Sequence, residues 1–195
     1  PFFIYFIFSL SAGLFIQLIF LPYIFPSLHW YDGLIDYGDW VYFHEFSKIY
    51  AEQINNEGWE KWELKPRNWG ILGFISAIYA ITGIYKPFIL LPFFSLLNAL
   101  GGLSIYLIIK LIFKSKKISF ISSIPFLIVP SSFLWVTQIM KDIFTINSIL
   151  MIICAYIYYY NYIFNEIKNK SENSINNLLI IISFILTSSF LFFLI

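Results

Sequence analysis

Residues 88–113, FILLPFFSLLNALGGLSIYLIIKLIF, contain one charged side chain, Lys110. A helix needs about 20 mostly apolar residues to cross a hydrocarbon core of about 30 Å. Within lipid the backbone must satisfy its own hydrogen bonds, and a helix does so inside one segment. Apolar runs of the same kind occupy 2–25, 118–134, 143–164 and 178–195. These runs predict an all-α polytopic membrane protein with about five transmembrane helices. The composition agrees: 59% of the 195 residues are hydrophobic and 22% aromatic, and the mean hydropathy is +0.78, outside the range of soluble domains. The net charge of +1 gives no case for binding nucleic acid. The single cysteine, Cys154, lies inside an apolar run, so neither an intrachain disulfide nor a cysteine-based metal site is expected.

A sixth apolar stretch, WGILGFISAIYAITG at 69–83, is one to two turns short of a full crossing. It also carries Gly70 and Gly73, which favours a short interfacial helix. Basic residues orient the chain: Lys110, Lys114, Lys116 and Lys117 cluster at the end of the run 88–113, and Lys168 and Lys170 lie in the polar loop 165–177. The positive-inside rule places both groups in the cytoplasm. Residues 26–87 then form a first external loop with interfacial helices, and 88–195 the remaining transmembrane helices. The chain opens on Pro1 and closes on the apolar SFLFFLI, so it is expected to be the N-terminal part of a longer chain. The first run lacks a basic n-region and an A-x-A-like site, and reads as an anchor rather than a signal peptide.

Polar chemistry is concentrated in the external loop. Eight of the eleven acids are there (Asp32, Asp36, Asp39, Glu45, Glu52, Glu57, Glu60 and Glu63), with both histidines and five of the six tryptophans. Trp40, Phe43, Phe46, Tyr50 and Ile54 recur at helical spacing, predicting an amphipathic helix lying at the membrane surface. Asp39 stands at its start, either as an N-cap or as a catalytic carboxylate, with Asp36 the alternative; Asp32-Gly33 reads as a turn. His44 is expected on the surface. In WELKPRNWG, 62–70, Lys65 and Arg67 are either snorkelling anchors or a phosphate site ahead of a helix. In WVTQIMKDIF, 135–144, Lys141 and Asp142 mark a span boundary or a functional pair. Gly101-Gly102 predicts close helix packing, and Asn98 and Asn147 interhelical hydrogen bonds. YIYYYNY at 156–162 reads as an aromatic belt.

In order and spacing, these features resemble the N-terminal module of the GT-C superfamily of membrane glycosyltransferases. The likeness is to the branch holding the protein O-mannosyltransferases and the lipid A aminoarabinose transferase, and it runs to about residue 160. The resemblance implies that Asp39, or Asp36, is the catalytic base. It implies that Lys65, Arg67 and Lys141 hold the donor phosphate, and that Glu63 and Asp142 belong to the acceptor or donor site. The family's KPP or HPP element is met only in part, because Arg67 replaces the second proline. ITG at 81–83 fits the family's apolar-Gly ending, and Lys86 stands where an arginine is usual. The expected partners are a polyprenyl-phosphate sugar donor, a lipid, glycan or protein acceptor, and the membrane itself, a bacterial inner membrane with the acidic loop outward. The resemblance implies no definite cofactor, and the site's carboxylates leave a divalent metal open. The rival readings are a polysaccharide polymerase or O-antigen ligase, and a transporter.

Overall fold

The computed structural model describes residues 1–167 and 174–194. Lys168 and Lys170, on which part of the orientation argument rests, lie outside the described residues, as does Ile195. Among the described residues the structure is helical with no β-strand. Helix α1 (Phe2–Phe15) runs on as a π-helical segment, Ile16–Ile24, with Pro22 inside it. Proline lacks an N–H and cannot continue an α-helical ladder, and the wider turn accommodates it. After the loop come α2 (Asp39–Glu57), α3 (Gly70–Thr82), α4 (Leu91–Phe113), α5 (Lys116–Ile128), α6 (Pro130–Thr137), α7 (Asp142–Ile167) and α8 (Ser174–Phe193).

Among the described residues three helices are long and apolar enough to cross a membrane: Phe2–Ile24, Pro87–Phe113 and Asp142–Ile163. The run expected as one straight span at 118–134 is instead broken. Val129 is extended (ψ 140°) before Pro130, as a residue preceding proline tends to be, and α5 and α6 meet at a 65° bend. Counted as one broken span they make a fourth crossing. The described apolar part of α8, Leu178–Phe193, is shorter than a full crossing.

Helix α4 is central, touching α1, α5, α6 and α7, while α7 pairs with α8 and α2 with α3. Small residues allow the close approaches. A Cβ on Gly101 would run into Asn147 Oδ1 and come within 2.9 Å of the Phe126 ring, and Gly102 faces Tyr5 and Leu127. Asn98 bonds across helices as expected, its Nδ2 donating to Ser9 Oγ at 2.9 Å. Asn147 does not: its Nδ2 donates at 2.6 Å to Ile143 O on its own helix.

A tertiary contact lies near each terminus of α3. Gly70 abuts Leu194 at the end of α8. Just past the other terminus Lys86 pairs with Asp32 at 3.7 Å before Pro87 begins the next span. Helix α3 packs against α2, and its 13 residues are fewer than a full crossing needs. This also changes what the amphipathic stripe of α2 is for. Phe43, His44, Ser47, Ala51 and Ile54 are buried, and Phe43 and Ala51 share a core with Ile71, Leu72, Ile75 and Tyr79 of α3. Neighbouring protein, rather than lipid, covers that face.

Gly101→Ala tests the close packing. The added methyl meets Asn147 and Phe126, and overpacking of this kind costs about 1–3 kcal/mol. Thermal unfolding in detergent is expected to show a lower midpoint.

Candidate functional site at the loop end of the bundle

A relay of polar contacts sets the start of α2. Ile35 N donates to Gln138 Oε1, just past α6, at 2.9 Å. Ile35 O accepts from Trp40 Nε1 at 2.5 Å. To reach it, the Trp40 ring folds back over Gly38, into space that any Cβ would occupy. Gly38 is consequently the extended N-cap residue and Asp39 the first helical residue. Asp39 is not the N-cap that its sequence position suggested; its charge sits in the first turn, at the positive end of the helix dipole.

This placement brings α2 against the segment leading into α7. Asp39, Trp40 and Phe43 face Met140, Lys141 and Asp142 across a cleft of about 80 Å³. The Lys141 ammonium rests 4.5 Å above the Trp69 ring, and Trp69 meets Phe43 edge-on at 5.8 Å. Among the described residues the ion pairs are Lys61–Glu57 and Lys86–Asp32, so Lys141 sits beside two carboxylates without being paired to either. The cleft offers one cation, two acids and an aromatic wall. A metal fits this donor set poorly, since among the described residues no three His, Cys, Asp or Glu side chains gather.

The remaining expected site residues lie elsewhere. Asp36 turns back on its own loop, its carboxylate accepting from Tyr37 N at 2.9 Å. Arg67 Nη1 donates to Tyr42 OH at 3.1 Å and its guanidinium lies 3.8 Å above Phe46. Lys65 sits 4.7 Å above Phe193 at the end of α8. Glu63 lines a different pocket, farther along α2. Lys86 is occupied by Asp32. Thus Asp39, Lys141 and Asp142 are brought together, while Asp36, Glu63, Lys65 and Arg67 are not. Each of the three expected phosphate-binding cations rests on an aromatic face, and Arg67 also commits an N–H donor to Tyr42.

His44 was missed as a structural centre. Expected at the surface, it is 1% exposed and its Nδ1 shares a 2.9 Å hydrogen bond with Tyr79 OH. Burial pushes its pKa down to about 4, against the opposing pull of Asp32 and with a smaller contribution from Lys48. A signal was present in the sequence: His44, Ser47, Ala51 and Ile54 recur at spacings of three, four and three, which puts His44 on one helical face with small and apolar residues.

No family model, curated protein or solved structure matches this chain.

His44 predicts an acid-sensitive hairpin. A histidine held neutral in the fold contributes stability that is intact above its unfolded pKa of about 6.5 and is lost as pH falls through about 4. The full loss is on the order of 3 kcal/mol. Unfolding midpoints measured between pH 7 and pH 4 are expected to fall, and His44→Gln to flatten that slope.

Proposed function

We propose that this protein is a membrane glycosyltransferase that moves a sugar from a polyprenyl-phosphate donor to an acceptor on the outer face of a bacterial inner membrane. The observation that carries the reading is the cleft in which Asp39 faces Lys141 and Asp142, at the end of helices long enough to cross a membrane. Lipid held among the helices would bring its phosphate to this level. Asp39 accepts the proton of the attacking hydroxyl or amine as its lone pair forms the new bond to the anomeric carbon. The bond from that carbon to the phosphate oxygen breaks with its electron pair, and the configuration inverts. Lys141 offsets the charge left on the departing lipid phosphate. Asp142, one residue on, begins α7 and holds the opposite wall. The volume of about 80 Å³ suits the reacting junction alone, with the rest of both substrates outside it.

Two further features support this reading. Lys110, Lys114, Lys116 and Lys117 cluster at the turn between α4 and α5, the far end of α4 from the cleft, which favours an outward-facing cleft. Among the described residues the buried polar side chains of the spans are uncharged, Ser9, Gln17, Asn98, Ser104 and Asn147 among them. A transporter would be expected to bury ionisable groups there.

Transfer from a radiolabelled polyprenyl-phosphate sugar, assayed in membranes, is the direct test. Asp39→Asn is expected to lower turnover by roughly 10²–10⁴-fold with an unchanged unfolding midpoint, and Lys141→Gln to weaken use of the donor. Orientation is read in a Cys154→Ser background with cysteines at Tyr37, 97% exposed, and at Lys117. A membrane-impermeant maleimide on intact cells should label position 37 and spare 117. The reverse pattern removes the cleft from the outer face and the proposal with it.

A further inference from the structure

A cavity larger than the Asp39 cleft opens on the loop side. It has a volume of about 410 Å³, within the usual range for small-molecule sites. Tyr50 and Gln53 of α2, Ser76 of α3, and Glu60, Trp62 and Glu63 of the connecting loop all line it. We propose that this cavity binds a neutral oligosaccharide, held apart from the reacting centre. The binding stands on the cavity itself; its role as the acceptor's anchoring site rests on the transferase reading above.

The lining selects the ligand class. Sugars present hydroxyls that both donate and accept, and C–H faces that stack on aromatic rings. Trp62 offers such a face: it is 36% exposed, and its ring is oriented by Nε1 donating to Gly73 O at 2.9 Å. That carbonyl also accepts from Ser76 Oγ at 3.0 Å. Gly73 itself lacks a Cβ because the Glu63 and Leu64 carbonyls occupy the space it would need, so the loop carrying Trp62 and Glu63 is clamped to α3. Glu60, Glu63 and Gln53 supply acceptors for hydroxyls, and Gln53 and Tyr50 supply donors. Charge argues against an anion, since the two carboxylates are joined by one cation, Lys61, which faces Glu57 at 3.9 Å. Phosphate and acidic sugars would meet like charge.

The cavity is also placed to serve the cleft. Asp39, Tyr42, Phe46, Tyr50 and Gln53 follow one face of α2 at helical spacing. Asp39 and Gln53 are about 21 Å apart at 1.5 Å per residue, beyond the span of one sugar ring. A chain of several sugars seated in the cavity could run past Tyr42 and Arg67, and reach Asp39 with its end.

Binding can be read by saturation-transfer NMR on the full chain in nanodiscs, which keep maltoside detergent away from the pocket. The probes are maltoheptaose and chitopentaose, with oligogalacturonate and inorganic pyrophosphate as anionic counterparts. Saturable binding of a neutral oligomer is expected, weakened about tenfold or more by Glu60→Gln/Glu63→Gln and by Gln53→Ala, with the anions binding worse. Trp62→Phe should reduce the transfer signal; because it also removes a bond to Gly73, Gln53→Ala serves as the variant that leaves the loop clamp in place. Asp39→Asn should bind normally while losing transfer, so failure of catalysis and failure of this site are read separately. No binding of either neutral oligomer, binding untouched by the pocket variants, preference for the anions, or loss of binding in Asp39→Asn would each overturn the proposal.

Discussion

The hydrogen bond from Ile35 N to Gln138 Oε1 is the contact on which the loop end of this molecule depends. A backbone N–H buried without a partner costs about 1–3 kcal/mol. Gln138 is fully buried, so its side chain cannot turn to water instead. The same residue of the loop accepts from Trp40, and Trp40 immediately follows Asp39. A side chain from the transmembrane bundle therefore sets where α2 begins, and with it the position of Asp39 opposite Lys141. A second glutamine reinforces the junction: Gln17, buried in the π-helical segment, donates from Nε2 to Thr137 O, and Gly33 packs against its backbone. The polar residues inside these spans thus fasten the loop to the helices.

Much of the architecture was legible in the sequence because apolar run length is a direct record of the solvent a helix meets. The run 88–113 emerged as a helix from Pro87 to Phe113, and 2–25 as one from Phe2 to Ile24. What failed was what run length does not encode. Pro130 lies inside an unbroken apolar stretch, and hydropathy alone does not register that proline forces its neighbour out of helical geometry. Helix α2 was read correctly as amphipathic, but periodicity says only that one face is covered, and α3 rather than lipid covers it.

At the candidate site the limits were of a different kind. His44 finds Tyr79, 35 residues away, and no local pattern announces that partner. Asp39 lost the capping position to Gly38 because the Trp40 ring needs the space beside a residue without a Cβ, a side-chain requirement that the residue types only hint at. The approach of Asp39 to Lys141 and Asp142 joins residues about 100 positions apart, which residue spacing does not encode. Glu63, grouped with Asp142 on family resemblance, faces another cavity because the loop turns at Gly58 (φ 98°) and runs back along α2.

The turn at Arg67 and Asn68 has a consequence for how this surface moves. Both residues hold left-handed backbone, with φ of 54° and 63°, a conformation that costs a residue with a Cβ roughly 1–2 kcal/mol. On one side of the turn Lys65 rests on Phe193 of α8, and on the other Arg67 rests on Phe46 of α2. The turn therefore works as a sprung clasp between the last described helix and the roof formed by α2 and α3, closed by aromatic contacts that are individually weak. Release of the clasp would relieve the left-handed backbone of Arg67 and Asn68.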